Sequence, residues 1–363
     1  MISNVIFVVD NLSIPRCIKR IKAFYDEGIS VIVYGYDRGK NLNNQFPQEI
    51  RPIILGSVLD GKGYVSRFFN VRRDIKRIIE ENKHGNNVFY SFGFVSSLLF
   101  SLTKERFIYE ISDIRYGSYK IFSPFICLFK YIDKRIVRKS LATVMTSGGF
   151  KDYLGAKKKE IFLIPNKINP VLANQQRSLV NETGQGIRFA FVGSVRYKSV
   201  FRFAKVIAEF FPQHSFSFYG SAPDWIKDLC EKLAKQYDNI SYYGPFHNPE
   251  DLPSIYGNAD VIVSSYDVST LNERIAEPNK LYESIFFCRP IVVSENTFLS
   301  KQVERYHCGF SLDATNETLI KGFIESIQIE DLLDCSRAEL KIPVCELIDE
   351  TKSIIEYVKS AKL

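Results

Sequence analysis

The sequence predicts an α/β protein of two Rossmann-like domains whose mainly parallel sheets face a central cleft. Three observations predict this fold class. Short apolar runs alternate with helical patterns along both halves of the chain, as in parallel sheets with crossover helices. A polar stretch without clear periodicity, residues 169–186, separates the halves and is predicted to be a linker. The length of 363 residues suits two domains, because one domain averages roughly 150 residues.

The first domain is predicted to span residues 1–168. Its apolar runs have the length of buried strands, and a helix with an apolar stripe follows the first of them at residues 14–25. The predicted strands are residues 5–9, 31–34, 88–90, 107–109, 143–145 and 161–164.

The second domain is predicted to span residues 187–340, where the strand and helix pattern restarts. Helices are predicted at residues 200–210 and 225–235. The predicted strands are residues 189–192, 215–219, 240–243, 261–264 and 291–293. Ligands of such sheets bind at the carboxyl ends of the strands, which should face the cleft. Residues 341–363 are predicted to form a C-terminal helix. One arrangement for this helix is to pack back on the first domain.

Composition argues against several classes of protein. The seven cysteines are scattered without a C-x-x-C pair, and the four histidines lack metal-binding spacing, so neither disulfides nor a metal is predicted. No run of about 18 uncharged apolar residues occurs, so no spanning helix is expected. The first residues have the pattern of a strand rather than of a signal peptide, which predicts a cytoplasmic protein. Neither G-x-G-x-x-G nor a P-loop motif occurs, which argues against a dehydrogenase and a P-loop enzyme.

The strongest motif is Glu-Pro-Asn-Lys-Leu-Tyr-Glu at residues 277–283. Pro278 suits the first turn of a helix, which places Asn279, Lys280 and Glu283 within about a 100° arc. The helix N-terminus and the ammonium would attract phosphate. The carboxylate one turn on would accept hydrogen bonds from a ribose diol. The alternative is a solvated Lys–Glu pair.

The second motif is Phe-Val-Gly-Ser-Val-Arg-Tyr-Lys at residues 191–198, a strand, a glycine turn and two cations before a helix. Gly193 lets the backbone approach a ligand, and Ser194 follows it in the same turn. Arg196 and Lys198 would neutralise a diphosphate leaving group as its charge develops. The alternative is a basic surface loop.

Two shorter motifs follow predicted strands of the first half. They are Tyr-Glu-Ile-Ser-Asp at residues 109–113 and Ile-Pro-Asn at residues 164–166. Their positions after strands would place Asp113 and Asn166 at the cleft. Alternatively, Asp113 caps the helix that follows it, and Asn166 is a turn residue after Pro165.

Residues 104–139 combine basic and apolar character, with nine Lys/Arg, four Asp/Glu and an apolar run at residues 121–129. Such a helix is typical of the membrane interface, so peripheral membrane contact is predicted here. The alternative is a core helix with a solvated basic face. The net charge of +7 fits an anionic partner such as a nucleotide or a membrane surface, and no nucleic-acid partner is predicted.

Six segments, in their order along the chain, resemble the bacterial glycosyltransferase family 4 ("glycosyl transferases, group 1"), of GT-B fold. They are residues 109–113, 144–154, 164–166, 191–196, 252–260 and 278–283. The resemblance spans most of the chain. It indicates the fold and the superfamily, but it says almost nothing about which sugar is transferred. It implies that the second domain binds a nucleotide-diphosphate sugar and that the first mainly binds the acceptor. It also implies retention of anomeric configuration, with neither a metal nor another cofactor.

By position in this resemblance, Glu283 would hold the ribose hydroxyls. Arg196 would hold the diphosphate, with Lys198 or Lys280 assisting. Asn279, Gly193 and Ser194 would complete the donor site.

The sequence departs from the family at one place. The family usually has two glutamates separated by seven residues, but position 275 is Ile. Either Glu273 or Glu277 would then contact the donor sugar, and Glu277 is preferred because it adjoins the helix start.

The resemblance implies a retaining transferase for bacterial surface polysaccharide, such as O-antigen or capsule, at the inner face of the cytoplasmic membrane. Its acceptor would be a glycan or a polyprenyl-diphosphate-linked glycan, and Arg196, Lys280, Glu277 and Asp113 would be its catalytic residues. Two alternatives are a sugar-nucleotide epimerase of the same fold and a non-catalytic glycan-binding or scaffold protein. The Ile275 departure keeps the latter alternative open, while the presence of Asn279, Lys280, Glu283 and Arg196 together argues against it.

Overall fold

The structure is a computed structural model, and it describes residues 3–37, 46–57, 64–118, 124–158, 160–180 and 186–361. The chain divides into two compact units. Met1–Pro165 and Glu350–Leu363 form the first unit, and Asn166–Asp349 forms the second.

Seven strands form a parallel sheet in the first unit. They are β1 (Asn4–Val9), β2 (Val31–Asp37), β3 (Ile53–Ser57), β4 (Asn87–Phe92), β5 (Phe107–Ile111), β6 (Ala142–Met145) and β7 (Ile161–Leu163). Their order is β3-β2-β1-β4-β5-β6-β7. The accompanying helices are α1 (Pro15–Asp26), α2 (Tyr64–Glu81), α3 (Phe94–Ser101), α4 (Ile126–Lys139) and α5 (Gly148–Leu154). All six positions of β4 and five of the six of β1 are buried, as is typical of a parallel sheet covered by helices on both faces.

Six strands form a parallel sheet in the second unit. They are β8 (Arg188–Val192), β9 (Ser215–Tyr219), β10 (Ile240–Gly244), β11 (Val261–Ser264), β12 (Ile291–Ser294) and β13 (Gly309–Leu312). Their order is β10-β9-β8-β11-β12-β13. The helices are α6 (Lys198–Phe210), α7 (Asp224–Gln236), α8 (Leu252–Gly257), α9 (Leu271–Ile275), α10 (Lys280–Phe287), α11 (Phe298–Tyr306), α12 (Glu317–Ser326), α13 (Ile329–Lys341) and α14 (Val344–Leu347).

These two parallel sheets confirm the predicted α/β class, and each of the eleven predicted strands is present. The prediction did not include β3 and β13, both of which lie at a sheet edge. β3 exposes Ile53 and Ile54, and β13 mixes a glycine and a serine with its two apolar residues. An edge strand has one strand neighbour and more solvent contact, so its sequence carries a weaker apolar signal.

The last helix, α15 (Lys352–Ser360), belongs to the first unit. Its Ile354 and Val358 lie in the same apolar core as the strands β1 and β4. The Tyr357 ring lies 5.4 Å from that of Phe162. The segment that was predicted as one C-terminal helix, residues 341–363, holds the end of α13, the short helix α14 and α15.

Helix α10 is buried along its whole length in the second unit. Its apolar side chains join a core with residues from α8 and α11, while α6, α7 and α12 pack on a separate core. A helix that is buried on all sides presents its polar side chains to the protein interior rather than to bulk water. The polar residues Lys280 and Glu283 of α10 therefore need a specific explanation.

Two arginines bind the backbone carbonyls at the carboxyl end of α10. Arg177 donates to Ile285 O and Phe286 O, both at 3.0 Å. Arg289 donates to Phe287 O at 2.9 Å. Cations at this end of a helix are stabilised by the unpaired carbonyls and the helix dipole.

Glu339 in α13 is a buried carboxylate beside this cluster. It is 0% exposed, and among the described residues neither of its carboxylate oxygens has a hydrogen-bond partner. Burial raises the pKa of Glu339 well above its ordinary value of 4.5, and the charges of Arg289 and Arg177 oppose this only in part. Burial therefore favours the protonated form of this group in the folded protein.

Replacing Glu339 with methionine is expected to stabilise the protein. Between pH 4.5 and the raised pKa of the folded state, Glu339 loses its proton in the unfolded chain but keeps it in the folded protein. The free energy of unfolding therefore falls as pH rises, by at most about 1.4 kcal/mol per pH unit. Glu339→Met removes this slope, so its gain in unfolding midpoint should be larger at pH 8 than at pH 5. Thermal unfolding at both pH values checks this, with the exposed Glu325→Met as control. An equal gain at both values would contradict it.

Candidate functional site

The candidate site lies at the carboxyl ends of β8 and β11 in the second unit. These two strands are neighbours in the sheet, but the chain continues from β8 to β9 on the other side. Such a reversal of strand order opens a crevice, where ligands of doubly wound sheets bind. We call the loop at residues 193–197, the loop at residues 265–270 and the first turn of α10 the switch-point site.

Lys280 places its ammonium group at this point. Its Nζ lies 4.8 Å from the ring centre of Phe191 and 5.7 Å from that of Tyr266. A Cβ atom at Gly193 would lie only 3.0 Å from Nζ, and Gly193 has a φ of +127°, so a glycine is needed there. Lys280 is 8% exposed, and among the described residues no group accepts a hydrogen bond from its ammonium.

Burial lowers the pKa of Lys280, and the nearby Arg196 charge lowers it further. Tyr197 and Glu283 act in the opposite direction. A desolvated cation without a hydrogen-bond acceptor is costly. An anionic ligand would supply both the acceptors and the missing charge. The prediction that Lys280 contacts phosphate thus has a physical basis in this environment.

The glycine turn after β8 carries the other predicted cations. Arg196 is exposed, and its Nη2 donates to Tyr197 Oη at 2.9 Å while its guanidinium lies 5.1 Å above the ring of Tyr197. Ser194 and Lys198 are also exposed. The structure brings Gly193 against Lys280, and Arg196 lies close enough to lower the pKa of Lys280. Ser194 is exposed in the same loop, and Lys198 is exposed at the start of α6.

Glu283 lies one turn along α10 from Asn279. Its Oε2 accepts a hydrogen bond from Tyr256 Oη at 2.8 Å, and its Oε1 accepts one from Asn279 Nδ2 at 2.6 Å. Glu283 is 4% exposed. The alternative of a solvated Lys–Glu pair is wrong, because Lys280 is also buried and no ion pair joins the two in the described part of the chain. Each oxygen of Glu283 keeps a second lone pair for a ligand.

The two candidate replacements for the missing family glutamate differ in environment. Glu277 is buried and accepts a hydrogen bond from Tyr282 Oη of α10. Glu273 forms a capping box with Thr270 at the start of α9 and accepts from Ser269 N at 2.9 Å. Glu273 therefore has a local structural role, while Glu277 is hydrogen-bonded to α10, the helix that carries Lys280. Ile275 is the last residue of α9.

Asp113 is the one predicted catalytic residue in the first unit. It is exposed and follows β5 by two residues. A short 3-10 turn follows at Arg115–Gly117, and Ile114 rather than Asp113 occupies its N-cap position. The other predicted site residues all lie in the second unit, where Asn166 is the first residue.

The basic and apolar segment at residues 104–139 contains β5 and α4, and its residues 119–123 lie outside the described part. Helix α4 and its N-cap expose three large apolar side chains at every third position, Phe125, Leu128 and Tyr131. The inner face buries Ile136 and Asp133. Within the described residues, no helix has the length and apolar character that crossing a membrane requires.

Some residues of the site were not predicted. Tyr256 binds Glu283, Tyr266 packs under Lys280, and Asp267 accepts hydrogen bonds from two backbone N–H groups at the start of α6. Tyr266 and Asp267 come soon after the predicted strand at residues 261–264, and this position was the one feature of the sequence that could have indicated them. In the described ranges no cluster of His, Cys, Asp or Glu is arranged to hold a metal ion.

No protein-family model and no curated protein matches the sequence. Solved structures match nearly the whole chain. HepE from Anabaena in complex with UDP is 12% identical with a TM-score of 0.68, over 99% of this chain and 100% of that one. WaaG, a glycosyltransferase involved in lipopolysaccharide biosynthesis, is 13% identical with a TM-score of 0.67, over 98% and 100%. A Listeria monocytogenes protein assigned as a UDP-N-acetylglucosamine 2-epimerase is 12% identical with a TM-score of 0.69, over 99% and 96%.

These similarities concern the fold, because so few residues are identical. They agree with the two parallel sheets. In each sheet the first strand of the unit, β1 or β8, is third in the strand order. Both transferases and an epimerase occur among the similar structures. The chain has the GT-B fold.

Proposed function

We propose that this chain is a glycosyltransferase that moves a sugar from a nucleotide-diphosphate donor to a glycan or lipid-linked glycan acceptor. The observation that carries the proposal is the ammonium of Lys280, a residue that is 8% exposed, at the switch point of the second sheet. It has no acceptor among the described groups, and a second cation, Arg196, lies close enough to lower its pKa. This environment favours a diphosphate.

The proposed chemistry is stabilisation of the leaving group. As the bond from the anomeric carbon to the diphosphate oxygen breaks, negative charge builds up on that oxygen, and Lys280 and Arg196 would stabilise it. Glu283 would accept hydrogen bonds from the ribose hydroxyls, and Glu277 would contact the donor sugar. The acceptor hydroxyl would attack the anomeric carbon from the face that the diphosphate leaves and would pass its proton to the departing diphosphate oxygen. This retains the configuration, as the family resemblance implies.

The acceptor side is proposed to lie in the first unit, where Asp113 would contribute. Helix α4 presents exposed Leu128 and Tyr131 beside Lys134 and Arg135. Apolar side chains with cations around them suit the surface of an anionic bilayer. A lipid-diphosphate-linked acceptor at the cytoplasmic face of the membrane would fit this surface, as in bacterial surface polysaccharide assembly.

A thermal-shift screen against UDP, GDP, CMP and dTDP compounds tests the proposal. We expect one nucleoside diphosphate to stabilise the protein, by about 2.7 kcal/mol at 100 times its dissociation constant. Glu283→Gln should lose this shift, because an amide cannot accept at both positions. Glu231→Gln, at an exposed ion pair with Lys227 on α7, should keep it.

The outcomes separate the alternatives. No shift with any nucleotide would favour the non-catalytic glycan-binding or scaffold protein, an alternative that Ile275 leaves open. A shift followed by conversion of UDP-N-acetylglucosamine to its 2-epimer, without any acceptor, would favour the epimerase. Sugar transfer to an acceptor glycan would support the transferase.

A further inference from the structure

Asp267 places a carboxylate at the N-terminus of α6. Its Oδ2 accepts a hydrogen bond from Lys198 N at 3.1 Å, and its Oδ1 accepts one from Ser199 N at 2.8 Å. The N-cap residue itself, Tyr197, makes no side-chain cap. The cap for this helix therefore comes from another loop, the one that follows β11. This carboxylate occupies two of the backbone N–H donors that would otherwise be available to bind an anion.

Two further contacts join the same two loops. Ser199 Oγ donates to Ser265 O at 2.9 Å, and the rings of Tyr197 and Tyr266 lie 4.4 Å apart. The loop after β11 is in turn fixed to β12, where Ser294 Oγ accepts from Tyr266 N at 2.9 Å. The loops at the ends of β8 and β11 are thus held as one structure.

The loop that carries Asp267 adopts an unfavourable backbone conformation. Val268, the next residue, has a φ of +53°. A β-branched residue in the left-handed region is rare, and it persists only where its surroundings determine the conformation. The hydrogen bonds of Asp267, the preceding residue, join this loop to the start of α6.

We propose that Asp267 is a positioning residue that keeps the donor diphosphate away from α6 and directs it to Lys280 and Arg196. The inference rests on the proposed function. A carboxylate already neutralises the N-terminus of α6 and would repel a phosphate there. Its bonds to Lys198 N and Ser199 N also fix the backbone just after Arg196. The diphosphate is therefore bound by side chains instead of by the first turn of α6.

A cap of the same kind on α12 offers a matched control. Asn316 Oδ1 accepts from Thr318 N at 2.9 Å and from Leu319 N at 3.4 Å. Asn316→Ala should lower the unfolding midpoint to a similar extent as Asp267→Ala, since both remove a cap. A purely structural role for Asp267 would then make both variants bind UDP equally well.

The test measures the dissociation constant of UDP for the full chain, and kcat and KM where transfer is observed. Asp267→Ala should weaken UDP binding roughly tenfold, because small displacements of binding groups have large effects, while Asn316→Ala leaves it unchanged. Asp267→Asn keeps one acceptor and should fall between Asp267→Ala and the wild type. A crystal structure with UDP should show the β-phosphate at Lys280 Nζ, with Asp267 still on Lys198 N.

Two results would overturn the inference alone. One is equal UDP affinity in Asp267→Ala and Asn316→Ala, and the other is a phosphate on the N–H groups of Lys198 and Ser199 with Asp267 displaced. If Asp267→Ala does not fold, Asp267→Asn and the UDP complex still decide. Failure of the wild type to bind UDP, GDP or dTDP would overturn the proposed function and this inference with it.

Discussion

Lys280→Met is expected to raise the dissociation constant for the nucleoside diphosphate roughly 10- to 100-fold, because a hydrogen bond to a charged group contributes about 1.5–3 kcal/mol and each 1.4 kcal/mol is about tenfold. The ammonium lies against Phe191 and Tyr266, and no described group accepts a hydrogen bond from it. Methionine has a similar length and fills the same apolar surroundings, so the loss would reflect the charge rather than a cavity. Isothermal titration calorimetry with the nucleotide from the thermal-shift screen measures it.

The same substitution is expected to stabilise the empty protein. Burial lowers the pKa of Lys280 below its ordinary value of 10.5. The unfolded chain therefore binds the proton more strongly, and wild-type stability should rise as pH increases from the folded pKa towards 10.5. Below that window the full cost of the buried charge is present, so Lys280→Met should unfold at a higher temperature than wild type at neutral pH. Opposite effects on affinity and stability are typical of a functional site.

An exposed lysine in the same unit provides the control. Lys227 pairs with Glu231 on the surface of α7, so Lys227→Met should change neither nucleotide affinity nor the unfolding midpoint appreciably. Nucleotide affinities of Lys280→Met and Lys227→Met that agree within error would contradict the assignment of Lys280 to phosphate.

Proton uptake gives a further signature of Lys280. A bound diphosphate adds negative charge beside the ammonium and raises its pKa, so binding should take up protons and weaken as pH rises through the pKa of the free protein. Tyr197, Glu283 and Arg196 also face this group, and only Lys280 is replaced in the variant. At a pH close to the pKa of Lys280 in the free protein, calorimetry in two buffers of different ionisation enthalpy should show uptake in wild type that Lys280→Met lacks.

The sequence was sufficient for the elements that bury continuous apolar runs. β1, β8, β11 and β12 are short, apolar and bounded by polar residues, so periodicity and length identified them. The start of α10 was predicted to within two residues. Pro278 was expected in the first turn, but the helix begins at Lys280 with Asn279 as its N-cap, so Pro278 precedes the helix. These signals are local, which is why they remain legible in one sequence.

Contacts between distant segments could not be predicted in this way. Asp267 caps a helix that begins 69 residues earlier in the chain, and nothing in its neighbourhood marks it as a cap. Tyr256 supports Glu283 across 27 residues. The burial of α10 on all sides was also hidden, since its polar residues resemble those of a solvated helix until the surrounding helices are known.

Arg177 makes more of these unpredicted long-range contacts than Asp267 or Tyr256. It lies in residues 169–186, where few apolar side chains and no periodicity predicted a linker. In the structure its segment belongs to the second unit, and its guanidinium binds five backbone carbonyls. Three are at the end of α13 and two at the end of α10, namely Glu339 O, Leu340 O, Ile342 O, Ile285 O and Phe286 O. A contact made with backbone atoms leaves no side-chain pattern to detect.

Arg177→Met is expected to destabilise the protein by about 3–5 kcal/mol, because several charge-assisted hydrogen bonds are lost and the carbonyls of two helix ends lose their partner. Arg177→Lys should recover only a minor part, since an ammonium has three donors and cannot span both helices. The exposed Arg337 pairs with Glu330 and Asp334 on α13, and Arg337→Met should leave the unfolding midpoint nearly unchanged. Urea unfolding of the three variants measures these differences.

The Arg177 variants also test whether the segment acts as a linker or as part of the second unit. A flexible linker would tolerate Arg177→Met, because its residues make few contacts that folding depends on. If Arg177 instead fixes the carboxyl end of α10, any folded fraction of Arg177→Met should also bind nucleotide more weakly, since α10 carries Lys280 and Glu283 at its other end. Unchanged stability together with unchanged affinity would show that the five hydrogen bonds do not orient this helix.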